Sequence, residues 1–188
     1  MQPAEFGKFA TALALAKEEG IGNVTARKLA AKIGCSTQPI FRVYANMGEL
    51  CGDINQKAAE VFSDYYENYE SEVDTPFIHL GLAYIDFAKE ESKLFQLLFM
   101  RKTSGNIGVN RILPEIDDNY TDILKSITDE YPVSADDAVI LYRHLWIYSH
   151  GIATLCATSM CRFTEVEIGI MLTEVFKALL TERLKGKS

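Results

Sequence analysis

The twelve residues Thr25-Ala26-Arg27-Lys28-Leu29-Ala30-Ala31-Lys32-Ile33-Gly34-Cys35-Ser36 constrain this chain more than any other stretch. The Thr25 hydroxyl can accept from a first-turn N–H and so cap a helix. Leu29, Ala30 and Ile33 recur at helical spacing, which predicts a short helix over 26–33 with one apolar face. Gly34 suits the left-handed residue that closes a helix. Ser36 can cap a further helix, with Pro39 in its first turn, where a missing N–H costs little. Two short helices joined by a tight turn form a helix-turn-helix. The second begins with polar residues and open N–H groups, which suits a phosphate or a base edge.

The rest of the chain also reads as helix. Pro occurs only five times, and no run of alternating β-branched residues bounded by turns suggests a strand. Helices are expected at about 4–19, 26–33, 36–44, 48–71, 76–91, 92–102, 109–129, 134–159 and 165–184. The expectation is an all-α fold of about nine helices. A three-helix helix-turn-helix domain would span residues 1–47, and a larger helical bundle residues 48–188. The pairs Asp117-Asp118 and Asp136-Asp137 read as solvated helix starts, favoured by the helix dipole.

The formal charge of −7 argues at first against a nucleic-acid partner, but its distribution reverses that reading. Residues 1–50 hold six basic and four acidic side chains, whereas residues 51–188 hold 13 basic and 22 acidic ones. Screening cuts exposed charges off within about 10 Å at moderate salt, so the local charge matters for DNA. No apolar run approaches the ~20 residues needed to cross a bilayer. Met1-Gln2-Pro3-Ala4-Glu5 lacks the basic start of a signal peptide. No membrane partner is expected, and a cytoplasmic location is.

Cys35, Cys51, Cys156 and Cys161 form no CxxC pair and have no His at zinc-finger spacing, so buried or half-buried free thiols are expected. His79, His144 and His150 have no carboxylate or Cys at ligand spacing, and no metal or cofactor is expected. Gly105-Asn106-Ile107-Gly108 lacks the Lys and Ser/Thr of a P-loop. With no paired carboxylates or nucleophile elbow either, an enzyme is not expected.

Residues 20–50 resemble the TetR family of repressors. The resemblance rests on Gly20-x-x-x-Val24-Thr25-x-Arg27-x-Leu29-Ala30-x-x-x-Gly34-x-Ser36, followed by Ile40-Phe41-x-x-Tyr44-x-Asn46-x-x-x-Leu50. Trp146, His150 and Gly151 echo a Trp-His-Gly signature that one subgroup carries on its eighth helix. The resemblance implies roles on double-stranded operator DNA. Thr25 and Arg27 would approach the DNA, and Ser36, Thr37, Gln38 and Pro39 would face the major groove. Asn46 belongs to the same interface. Phe41 stands where the family usually has a phosphate-binding Tyr, and Tyr44 where it has an aromatic that packs the small domain. Met47 replaces a frequent Lys, and Arg42 would supply part of the missing charge.

The family also implies a homodimeric bundle that encloses an effector site. The aromatic-rich middle helices suggest a small, largely apolar effector lined by His79, Tyr84, Phe95, Phe99, Tyr142, Trp146 and His150. Its binding would release a repressor from DNA. The competing reading is a helical interaction module that no longer binds DNA, which the loss of a hydroxyl at Phe41 and of a charge at Met47 would favour.

Overall fold

The first helix, α1 (Pro3–Glu19), stops where Gly20 takes φ 86 and ψ 158, a conformation closed to residues with a β-carbon. One 3-10 turn, Ile21–Asn23, leads into α2 (Ala26–Ile33). The Thr25 hydroxyl accepts from the Lys28 N–H at 3.3 Å. At the other end Gly34 is left-handed, with φ 76 and ψ 33. The Cys35 N–H reaches back to the Ala30 carbonyl at 3.0 Å, satisfying a carbonyl the helix leaves open. Next come α3 (Gln38–Phe41) and α4 (Met47–Glu67). Asn46 caps α4 by accepting from the Glu49 N–H at 3.0 Å, while the Glu49 carboxylate accepts from the Ala45 N–H at 2.6 Å.

The computed structural model describes residues 3–71, 76–101, 108–109, 111–116 and 119–185. It is all-α: ten helices occur among the described residues, and no strand. The remaining helices are α5 (Pro76–Glu90), α6 (Ser92–Phe99), α7 (Ile112–Ile116), α8 (Tyr120–Glu130), α9 (Ala135–Ala157) and α10 (Glu165–Lys185). The chain divides into two compact units, Met1–Asn68 with Phe87–Arg101, and Tyr69–Asp86 with Lys102–Ser188.

In the first unit Ala12, Leu15 and Ala16 of α1 pack with Leu29 and Ala30 of α2, Ile40 of α3, and Tyr44. Leu50 and Ile54 of α4, both fully buried, complete this core, so the head draws on residues beyond 47. A second cluster joins Phe62 to Phe87 and to Phe99, with ring centroids 5.0 Å apart in each pair.

In the second unit the core runs along α9 through Leu141, Tyr142, Leu145 and Ile152, and along α10 through Ile168, Leu172 and Phe176. Ser134 caps α9 by accepting from the Asp137 N–H at 3.1 Å, with Asp136 and Asp137 in the first turn as expected. Thr164 and Glu167 form a reciprocal cap for α10: the Glu167 N–H donates to the threonine hydroxyl, and the carboxylate accepts from the Thr164 N–H at 2.8 Å. The Thr164 N–H and the Thr164 hydroxyl, both donating to the Glu167 carboxylate, hold it below its ordinary range.

Three helices differ from expectation. The helix expected over 109–129 is two, α7 and α8. Pro114 would sit well inside a helix begun at 109, where it deletes a donor and clashes with the preceding turn. It sits instead in the first turn of α7. α4 stops at Glu67 rather than near Ser71, because the Asn68 side-chain amide donates to the Asp64 carbonyl at 2.7 Å and closes the last turn. α3 is preceded by Thr37 without a side-chain cap, not capped by Ser36. A Ser36 cap would need the N–H of residue 38 or 39, and Pro39 has none. Residues 43 and 44 do not extend α3; their N–H groups both turn onto the Ile40 carbonyl at 3.1 Å. Asp117 and Asp118 lie outside the described residues.

Candidate nucleic-acid interface

The helix-turn-helix presents its polar residues outward. Thr25, Arg27, Ser36, Gln38, Arg42 and Asn46 are exposed, and Thr37 and Pro39 are half-buried. Phe41 is 47% exposed, unusual for a phenylalanine and consistent with a contact surface. Tyr44 is 5% exposed and belongs to the core, so it holds α3 in place rather than facing outward. Asn46 is likewise committed locally, its side chain capping α4.

The charges of this unit are unevenly spent. Lys28 Nζ lies 2.7 Å from Glu19 Oε2 and 2.8 Å from Asn23 Oδ1. That bond holds the Glu19 carboxyl below its ordinary range. Lys32 pairs with Glu18, and Lys17 with Glu91. Lys8 Nζ donates to the Pro39 carbonyl at 2.9 Å and so ties α1 to α3. Among the described residues Arg27 and Arg42 have no acidic partner. Of the six basic residues in the first fifty, the two left for an outside partner therefore stand at the outer ends of the helix-turn-helix, Arg27 in the first turn of α2 and Arg42 just after α3.

The seven residues expected to line an effector site are divided between the two units, five in the second and two in the first. Tyr84 of α5 meets His150 of α9, its hydroxyl 2.9 Å from His150 Nδ1. The Trp146 ring stacks on His150 at 5.1 Å and 11°. Burial pushes the Tyr84 phenol up and the His150 imidazole down from their ordinary values, so both favour their neutral forms. His79 is held elsewhere in the same unit, by the Ser71 hydroxyl at 2.7 Å and the Tyr69 ring at 5.2 Å. Tyr142 packs on Tyr120 at 5.9 Å. Phe95 and Phe99 belong to the other unit, where their rings lie 5.1 Å apart and Phe99 meets Phe62. Cys51 and Cys156 are half-buried, but Cys35 and Cys161 are exposed, against expectation: Cys35 comes directly after the left-handed Gly34 that ends α2, and Cys161 two residues after the left-handed Ser159 beyond α9.

The family model described as "Tetracyclin repressor-like, C-terminal domain" matches residues 77–180, more than half of the chain and wholly outside the helix-turn-helix. The chain belongs to the TetR family. Like other members it is a transcriptional regulator. An HTH-type transcriptional regulator of Staphylococcus aureus strain USA300 is 23% identical over 132 residues, covering 65% of this chain and 68% of that relative. The fold matches a TetR-like transcriptional regulator from Rhodococcus sp. RHA1 with a TM-score of 0.66 at 12% identity, over 95% of this chain and 96% of that one. It also matches the fatty acid degradation regulator FadR from Bacillus halodurans with a TM-score of 0.60 at 14% identity, over 96% of each chain.

Within this TetR-family chain, Trp146, His150 and Gly151 fall inside the matched segment. Three structural features had no readable signal in the sequence. The Lys8–Pro39 tether spans 31 positions. The Tyr84–His150 bond spans 66. Thr154, one turn beyond His150, buries its Oγ1 with no hydrogen-bond partner among the described residues. Among those residues no helix is long and apolar enough to cross a membrane.

Proposed function

We propose that this TetR-family regulator is a cytoplasmic, homodimeric repressor that binds operator DNA through α2 and α3 and is released by a small apolar effector. The observation that carries the DNA reading is the selective neutralisation of the head. Four of its basic side chains are engaged internally, and Arg27 and Arg42 remain exposed, as Gln38 and Phe41 do. Phosphate contacts by such cations position a protein on the duplex, and polar side chains at the start of α3 read base edges. Thr25 and Ser36 are also exposed and suit backbone contacts; Thr37 and Pro39 are half-buried at the start of α3.

Homodimerisation is supported by apolar side chains that this chain leaves uncovered on its last two helices. Val166 and Ile170 of α10 are 71% and 52% exposed, and Ile147 of α9 is 47% exposed. Paired helices of this kind form a four-helix bundle about a two-fold axis.

The effector reading rests on Tyr84, Trp146 and His150, whose rings meet in one place, and on the Thr154 hydroxyl on the same face of α9, which is buried with no partner among the described residues. An aromatic wall with a few polar atoms suits an apolar ligand.

Titration of the full chain against DNA from upstream of its own gene, at several salt concentrations, tests the DNA reading. Binding that weakens with salt, and tightens over random DNA by at least about a thousandfold, is expected. Salt-independent or absent binding would instead identify an interaction module that does not recognise DNA.

A further inference from the structure

A groove of about 370 Å³ opens between the end of α1, the 3-10 turn that follows it, and α6. Its volume falls in the small-molecule range of about 300–1,000 Å³. One wall is Glu19, Gly20, Ile21 and Gly22; the other includes Lys93, Leu97 and Arg101. Those last three recur every four residues, so they run along one side of α6 and just past its end, with Leu97 between two cations.

The charges are unbalanced in a way that selects a ligand. Glu19 is already satisfied by Lys28 at 2.7 Å. Lys93 has no acidic partner among the described residues. Among the described residues Arg101 reaches only the uncharged Asn55 Oδ1, at 3.5 Å. Ile21, Leu97 and Met100 supply apolar surface beside them, and Met100 is 40% exposed. A β-carbon at Gly22 would meet nothing within 4 Å, so the turn leaves the groove mouth clear.

We propose that this groove is a binding site for a small carboxylate with an apolar body, its carboxylate held by Lys93 and Arg101 and its body against Leu97, Ile21 and Met100. The site is separate from the Tyr84–Trp146–His150 cluster. A cation–carboxylate contact is short and strong compared with a neutral hydrogen bond, so the anionic head supplies selectivity and the hydrocarbon supplies area. The occupant would touch Glu19, whose partner Lys28 lies in α2.

Octanoate is the probe, with octanamide as its neutral counterpart, titrated into the full chain without DNA while the backbone amide signals of Gly20 and Gly22 are followed by NMR. Both signals should move saturably with octanoate. Octanamide should bind about tenfold more weakly or worse, the loss expected for one charge-assisted contact. The double variant Lys93→Met, Arg101→Met keeps the apolar stems and should lose octanoate binding by about tenfold or more at an unchanged melting temperature. Equal affinity for the amide, undiminished binding by the double variant, immobile glycine signals, or shifts confined to amides around Trp146 would each overturn the proposal. Because no DNA is present, a failure to recognise DNA leaves this result untouched, and the two readings fail separately.

Discussion

Lys17 Nζ lies 2.5 Å from Glu91 Oε1, linking the last turn of α1 to the residue that precedes α6. Both side chains are about one-third exposed, so the pair is half-screened by water and contributes at most about 1 kcal/mol to stability. Its value lies in position: it connects α1, which packs against α2 and α3, to the start of α6. Lys17→Met should shift the melting temperature by only a few degrees. If effector release passes through α6, the same variant should blunt the effector's influence on DNA affinity while leaving effector-free affinity within a few-fold. Measuring DNA affinity with and without effector decides this, and an unchanged response would remove the pair from the coupling route.

Base-reading and phosphate-holding residues should separate under mutation. Gln38→Ala should cost about 1–3 kcal/mol on operator DNA and little on random DNA. Arg42→Ala should weaken both alike and flatten the slope of log affinity against log salt by about one. Phe41→Tyr offers a phosphate the hydroxyl this chain lacks, and should tighten binding by about 1 kcal/mol on any sequence. Fluorescence anisotropy on the two DNAs at several salt concentrations checks all three, and equal losses on both for Gln38→Ala would count against its role at a base edge.

Ser159 closes α9 with φ 57, the one non-glycine residue with positive φ among those described. Its N–H reaches the Cys156 carbonyl at 2.9 Å, and the Met160 N–H reaches the Leu155 carbonyl at 3.0 Å, the bonding of a left-handed helix stop. A side chain in that conformation costs about 1 kcal/mol. Ser159→Gly should therefore stabilise the fold by roughly that amount, and Gly34→Ala, the mirror change at the end of α2, should destabilise it similarly. Urea denaturation of the two variants gives both signs.

His150 should make stability pH-dependent in a known direction. Burial against Tyr84 and Trp146 lowers its pKa in the folded state relative to the unfolded chain. The unfolded state then takes up the proton more readily, so the contribution of His150 is complete above about pH 6.5 and is lost as the pH falls through the folded value. The melting temperature of His150→Gln should fall less between pH 7.5 and 5 than that of the parent chain, a comparison that removes the common effect of the other titrating groups (pH values chosen to bracket the ordinary histidine pKa, about 6.5). Parallel curves would show that His150 does not titrate with unfolding.

The helix-turn-helix was legible from local chemistry alone. Thr25, Gly34 and the spacing of Leu29, Ala30 and Ile33 act over a few residues, and the structure uses Thr25 and Gly34 as cap and left-handed stop. The same holds for Ser134 at the start of α9. Local rules also misled where two competed: Ser36 is a good cap in isolation, but Pro39 withholds one of the two donors it could use, and α3 starts after an uncapped Thr37. What only the tertiary structure decided depends on residues far apart in the chain. Aromatic composition showed that the middle helices carry many rings, but a period of 3.6 cannot say which helix each ring will face. Packing sent Phe95 and Phe99 to Phe62, and Tyr84 to His150, 66 positions away. Charge counting likewise saw six basic residues in the head. Folding engaged four of them internally and left Arg27 and Arg42 outward, because a salt bridge forms by proximity in space, which sequence separation does not reveal.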